Sequence, residues 1–306
     1  MTRPTIALTG GTGFIGRYLL GALSTLGYRV RVLLRRPTML PSGSASAVIG
    51  DLARPQNMAA ALADVDAVIH SAGVSHAASG LPDDDYRVLN TEATIGLARA
   101  ARRAGVRRFV FLSSIRAQCG PTAAEILTED LPPRPTDLFG RSKLAAEQGL
   151  ADIDLDWVAL RLVLVYGPGV QGNMGRLIRL ACSPYPLPLG ALDARRSLVS
   201  LDNLATAINC VLVAPLPLCR PLIVADPDPL SVAQMIAALR RGLGRRPGLV
   251  RVPPWLLQTA LEMAGRTDSH ERLARPLVAD SSALAKLGCA PLQRTALGLE
   301  LLMRRS

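Results

Sequence analysis

The sequence predicts a doubly wound α/β fold, a parallel sheet wrapped by helices on both faces, followed by a smaller C-terminal lobe. Two observations carry that expectation. Thr5–Thr9 is an apolar, strand-like run that turns through Gly10, Gly13 and Gly16 into a segment where Ile15, Leu19, Leu20 and Leu23 recur at helical spacing. Beyond it, short apolar runs alternate with helix-like segments as far as about Val165, and such alternation means a parallel sheet covered on both sides.

Taken in order, strands are expected at Tyr28–Leu34, Ala47–Ile49, Ala67–His70, Arg108–Leu112 and Trp157–Val165. Helices are expected at Gln56–Ala63, Pro82–Ala104 and Thr136–Ala151. The pattern then changes. Tyr166–Gly175 and Ser183–Leu192 are rich in proline and glycine, and helices at Ser231–Leu243, Trp255–Ala264 and Ser281–Leu287 lie between loops. The piece Leu198–Val224 again reads strand–helix–strand. The expected division is therefore a nucleotide-binding Rossmann domain over 1–168 and a substrate-binding lobe over 169–306, with roughly 198–224 returning to the first.

Composition narrows the classes. The net charge of +11 comes almost wholly from arginines spread over the chain, without a nucleic-acid-binding motif. A solvated basic surface is expected rather than a nucleic-acid partner, with attraction of anionic substrates as a functional consequence. No apolar stretch approaches the length of a spanning helix. The N-terminus enters a strand at once, so a cytoplasmic protein without a signal peptide is expected. Cysteines 119, 182, 210, 219 and 289 lack metal-ligand spacing and are expected as free thiols in a reducing compartment. His70, His76 and His270 are too far apart for a recognisable metal cluster, so no metal is assigned.

The glycine-rich turn is the main functional signal. A strand turning sharply into a helix aims unpaired backbone N–H groups and a partial positive charge at one spot, which suits a pyrophosphate. Gly10, Thr12, Gly13, Phe14, Ile15 and Gly16 are the expected dinucleotide contacts. The second strand ends in Arg35-Arg36 rather than the acid that holds a ribose 2′-hydroxyl. Those guanidinium groups favour a 2′-phosphate, hence NADP over NAD; the alternative is that both merely face water. Asp51-Leu52 follows the third strand and either frames the adenine or is ordinary exposed loop. Ser71-Ala72-Gly73 after the fourth strand lets a cofactor pass closely. Asn90 either bonds the active-site loop or is helix surface. Downstream stand Ser113-Ser114 and, four apart on one helix, Phe139 and Lys143. Lys143 has only Lys286 for company in a chain that otherwise uses arginine.

The constellation Gly10-x-x-Gly13-x-x-Gly16, Ser113-Ser114 and Lys143 resembles the extended short-chain dehydrogenase/reductase family, in particular its NAD-dependent epimerase/dehydratase branch. The likeness extends to Asn90-Thr-Glu-Ala-Thr, Val165-Tyr-Gly-Pro-Gly169, Arg196 through Leu204 and Asp280 through Gly288. It implies a homodimer acting on a nucleotide sugar, UDP-linked, by hydride transfer at C4: a 4-epimerase or a 4-keto-sugar reductase. It also implies a serine that polarises the sugar oxygen, a tyrosine that moves the proton and a lysine that binds the nicotinamide ribose. Ser114 is the preferred serine, with Ser113 in reserve. Asn173 and Arg196 would meet the substrate diphosphate; for Arg196 the alternative is surface charge.

The chain departs from the family pattern at the tyrosine, where Phe139 stands. It also has Leu162-Val163 after Arg161 where the family often has prolines. Losing a general acid–base costs about 10²–10⁴ in rate. Either Phe139 is a Tyr→Phe change that keeps shape and stops turnover, or the protein has lost or moved its proton donor and binds rather than converts. A steroid- or lipid-directed reductase is the third reading, with which the apolar Val252–Ala264 stretch is compatible.

Overall fold

The computed structural model describes residues 3–41, 44–74, 82–215, 217–253, 255–256, 275–290 and 292–304. The expected helix at Trp255–Ala264, and His76 and His270, fall wholly or mostly outside them. Among the described residues, β1 (Thr5–Thr9), β2 (Arg29–Leu34), β3 (Ala45–Val48), β4 (Ala67–His70), β5 (Arg108–Ser114), β6 (Asp156–Leu162) and β10 (Arg220–Val224) form one sheet in the order β10-β6-β5-β4-β1-β2-β3. Every pairing in it is parallel.

Helices cover both faces, which is why the strands are apolar on both sides. Ile6, Leu8, Val32, Val110 and Val158 pack under α1 (Phe14–Thr25) and α7 (Leu201–Val213). Ala7, Val68, Phe109 and Phe111 pack under α4 (Ala93–Arg103) and α5 (Leu138–Ala151). The chain winds one way from β1 to β3 and the other way from β4 outward. The crevice at the carboxyl ends of β1 and β4 is therefore the place where such a sheet takes a ligand. At the opposite end, buried Arg108 pairs with Asp156 at 2.6 Å and donates to the carbonyls of Val211, Ala214 and Pro215, satisfying the C-terminus of α7.

A third apolar cluster gathers Tyr166, Met174, Leu198, Ile236, Leu239, Leu299 and Leu302. It lies among α6 (Gly172–Cys182), α8 (Val232–Gly242) and α10 (Thr295–Arg304), with α8 packed on both other helices. Two short sheets accompany it, β7 (Leu164–Tyr166) with β9 (Leu198–Ser200), and β8 (Arg195–Arg196) with β11 (Leu230–Ser231). The segment 275–290, which includes the short α9 (Ser282–Ala285), runs as a strap between these elements and the loop after β5, bridging Leu127 to Ala279 and Arg196 to Leu277.

Several expectations need correction. The strand expected at Trp157–Val165 ends at Leu162, because Leu164–Tyr166 leave the main sheet to pair with β9. The expected helix at Pro82–Ala104 is α3 (Asp83–Tyr86), a wide π turn at Arg87–Glu92, and then α4. The helix expected at Gln56–Ala63 shortens to α2 (Met58–Ala61). Helix α6 occupies part of the stretch expected to be loop, since Met174, Gly175 and Ala181 supply a buried face that its glycines had obscured. The cysteines are not all free thiols. Cys210 on α7 and Cys289 on the strap are joined in a disulfide, their Cα atoms 5.3 Å apart. Tertiary packing brings together positions 79 residues apart, which spacing alone does not reveal. Among the described residues, no helix is long and apolar enough to cross a membrane.

Helix α1 contains its own control for the packing claim. A Cβ on Gly16 would stand 2.1 Å from the Gly10 carbonyl oxygen, whereas one on Gly21 meets nothing within 4 Å. Thermal unfolding should show Gly16→Ala less stable by about 1–3 kcal/mol. Gly21→Ala, with the same gain in helix propensity and no clash, should be more stable by up to about 1 kcal/mol. Equal shifts for both would contradict the close strand–helix approach.

Candidate active site

The crevice is built first from backbone. Gly10 has φ +69°, and a Cβ there would sit 2.7 Å from the Ala72 backbone nitrogen, so β1 and the loop after β4 touch through a position that only glycine fills. The Gly13 N–H closes a turn on the Gly10 carbonyl at 2.9 Å. Gly13 then caps α1 without a side-chain hydrogen bond, and no acid stands in its first turn. The first N–H groups of α1 are left to an anionic ligand. Thr12 and Gly13 are exposed on the rim, Phe14 and Ile15 are half-buried, and Gly16 is buried against the turn. This cradle fits a dinucleotide pyrophosphate.

A buried polar chain ties the cradle to the next elements. Thr94 Oγ1 donates to the Asn90 carbonyl at 2.7 Å, so it accepts from His70 Nε2 at 3.0 Å. His70 Nδ1 then accepts the Thr9 hydroxyl at 2.7 Å, and the Thr9 oxygen accepts the Ala72 N–H at 3.2 Å. Each partner is satisfied only if His70 is neutral with its proton on Nε2. Burial, and next the charge of Lys143, push its pKa down to about 3.

Asn90 projects from the π turn and bonds the active-site loop. It accepts the Val74 N–H at 2.8 Å and donates to the Val74 carbonyl and to Ser142 Oγ, each at 3.1 Å. Ser142 Oγ donates to the Phe139 carbonyl at 2.8 Å, and Thr91 holds the Ser142 carbonyl. Helix α5 starts at the Asp137 cap, which accepts the Gly140 N–H and pairs with Arg116. Gly140 lets α5 press on the turn after β5, for a Cβ there would lie 2.2 Å from the Arg116 carbonyl oxygen. Phe139 thus sits between the Asp137 cap and the Gly140 contact, with its carbonyl held by Ser142.

Lys143 lies one turn further along α5. Its Nζ donates to the Leu112 carbonyl at 3.0 Å, stands 4.5 Å from the Phe111 ring centroid and 6.0 Å from that of Phe139. A Cβ on Gly73 would come within 3.5 Å of this Nζ and 2.8 Å of Asn90 Oδ1, so Gly73, Asn90 and Lys143 converge. Burial lowers the Lys143 pKa to about 8, against an opposing pull from Glu147.

The two serines divide their work. Ser113 is buried and donates to Glu147, which also takes Arg161 Nη2 at 2.6 Å; Arg161 in turn donates to Gln118. Ser114 is half-buried, and its oxygen accepts the Arg116 N–H at 3.2 Å. Ser114 is therefore the less committed of the two. The Glu147–Arg161–Gln118 network escaped the sequence reading. Its signal was a charged residue, Arg161, inside an otherwise apolar strand.

The remaining expected residues sit around the rim. Arg35 and Arg36 are exposed just beyond β2. Asp51 accepts the Ala53 N–H in a tight turn, and Leu52 packs half-buried on the α4–α5 face. Ser71 and Ala72 line the approach to the cradle. Asn173 is exposed in the first turn of α6. Arg196 donates to the carbonyls of Arg275 at 3.0 Å and Pro121 at 2.9 Å, pinning the strap to the loop after β5.

Known proteins resemble this chain over most of its length. The chain is 32% identical to the UDP-glucose 4-epimerase of Vibrio cholerae, over 91% of this chain and 88% of that protein. It is 27% identical to the ceramide reductase of Caulobacter vibrioides, over 82% and 74% respectively. The solved structure of MoeE5 in complex with UDP-glucose and NAD superposes with a TM-score of 0.74 at 26% identity, covering 98% of this chain and 97% of that one. Residues 6–217 match the NAD dependent epimerase/dehydratase family, and the chain belongs to that family.

Proposed function

We propose that the protein binds NADP(H), with NAD as the weaker alternative, and a UDP-linked nucleotide sugar. The chemistry is hydride transfer at the sugar C4, as a 4-epimerase or 4-keto-sugar reductase, impaired by Phe139. One observation carries the reading: the cradle, Asn90 and the buried Lys143 are kept in register around a ring that lacks its hydroxyl. The Vibrio cholerae relative and MoeE5 support the substrate class.

When bound, a nicotinamide accepts and returns hydride. The chain's own residues do the rest. Gly10, Thr12, Gly13 and the N-terminus of α1 receive the pyrophosphate, and Arg35 and Arg36 receive a 2′-phosphate. Asp51, Leu52, Ser71, Ala72 and Gly73 line the nucleotide's path. Lys143 donates to the nicotinamide ribose, and Ser114 donates to the oxygen at the reacting carbon. A tyrosine at 139 would titrate near pH 10 when unperturbed, and the Lys143 charge would favour its ionised form. Phe139 offers no proton to exchange, so the substrate oxygen has no acid–base partner at that ring.

One observation favours a second reading, an uncharged alcohol substrate of the kind handled by a lipid or steroid reductase. Two carbonyls take two of the five N–H donors of Arg196, which leaves fewer of them to meet a diphosphate. The ceramide reductase relative is consistent with that class.

Two experiments test these assignments. Phe139→Tyr should raise turnover on UDP-hexoses or 4-keto sugars by about 10²–10⁴, followed by nicotinamide absorbance and product analysis. No gain on any of them would favour a non-catalytic, cofactor-binding role. Replacing Arg35 and Arg36 together by Ala should weaken NADP binding relative to NAD by at least about tenfold, the loss expected for one or two charged hydrogen bonds. An unchanged ratio would place both arginines in solvent.

A further inference from the structure

We propose that Phe111 is a positioning residue: its ring face, in a stack with the ring of His70, holds the Lys143 ammonium at the point where the crevice elements converge. The use of that cation rests on the function proposed above; the stack itself does not.

The argument starts from alternation along β5. Phe109 and Phe111 face the α4–α5 layer, while Val110 and Leu112 face the other. Lys143 descends from α5 onto that first layer and is only 6% exposed. Its protein hydrogen bond is to the Leu112 carbonyl, which serves one of three N–H donors. The ring face of Phe111, with its centroid 4.5 Å from Nζ, supplies attraction where water is scarce. His70 stacks on the Phe111 ring at 5.7 Å between centroids with the planes 20° apart.

The stack works because its second ring is uncharged. A protonated His70 would place a like charge against the Phe111 ring, and the Thr9 and Thr94 bonds hold the neutral form instead. Other groups around Lys143 are accounted for. Glu147 on its own helix is tied to Arg161 on β6, Asn90 from the π turn is neutral, and β5 presents a carbonyl and a ring. Because Thr9 also accepts the Ala72 N–H, the same stack joins the glycine cradle to Lys143.

The chain has two lysines, Lys143 and Lys286, and the second is exposed. Labelling with ε-¹³C lysine therefore gives two resonances, titrated by NMR without nucleotide or substrate. In the wild-type protein the Lys143 ε-methylene protons should lie upfield of those of Lys286, displaced by the ring beneath them. In Phe111→Leu, which nearly keeps volume and removes the π face, the Lys143 midpoint should fall by about half to one pH unit. Lys286 should not move, and nicotinamide nucleotide affinity should drop. A Lys143 midpoint that rises or stays put in a folded variant would overturn the proposal. If the variant fails to fold, the absence of the upfield displacement in the wild type would overturn it equally. Neither readout depends on turnover, so failure of the stack and failure of the proposed function are separable.

Discussion

A buried ammonium constrains this molecule more than any other single group. Transferring such an ion out of water costs several kcal/mol even after relaxation, and Lys143 is enclosed by β5, α5 and the loop after β4. The Leu112 carbonyl, the Phe111 ring and the nearby Glu147 carboxylate each offset part of that cost. Every one of them depends on the register between α5 and the carboxyl ends of the central strands. The absence of a side chain at Gly73 and Gly140 is part of the same requirement, since a methyl group at either position would push the converging elements apart.

Around that centre, polar groups that an α/β core would ordinarily exclude are paired with one another. Glu147 and Arg161 are almost wholly buried, and their charges are balanced by each other and by Ser113 and Gln118. Removing either partner would leave a naked charge in the interior, a far larger penalty than the pair's net worth. The choice of lysine follows from the chemistry too. Arginine stays charged at all accessible pH, whereas a buried ammonium titrates, here near 8.

Much of this was legible in the residues, for stateable reasons. The strand at Ala67–His70 and the glycine turn announce themselves because their demands are local: an apolar run, or a backbone that must bend. Lys143 and Phe139 were legible because helical spacing puts them on one face. What could not be read depends on pairs distant in sequence. The partner of Arg161 lies 14 residues earlier, that of Cys210 lies 79 later, and His70 finds its two threonines on different elements. Helix α6 was hidden for the opposite reason: the glycines at 172 and 175 imitate a loop, while its helical face is settled by contact with α8. Arg196 illustrates a third kind of limit. Its charge marked it out, but only the fold shows that two carbonyls already engage it.

The cradle is made of backbone and survives most side-chain change, whereas in the proposed function proton transfer would rest on a single oxygen that Phe139 does not carry. Binding and turnover can therefore part company in this chain. Calorimetric titration of the purified wild-type protein with the oxidised and reduced forms of both nicotinamide dinucleotides tests this most directly. The account predicts saturable heat at one nucleotide per chain, tighter for the 2′-phosphorylated forms. No heat with any of the four would contradict it.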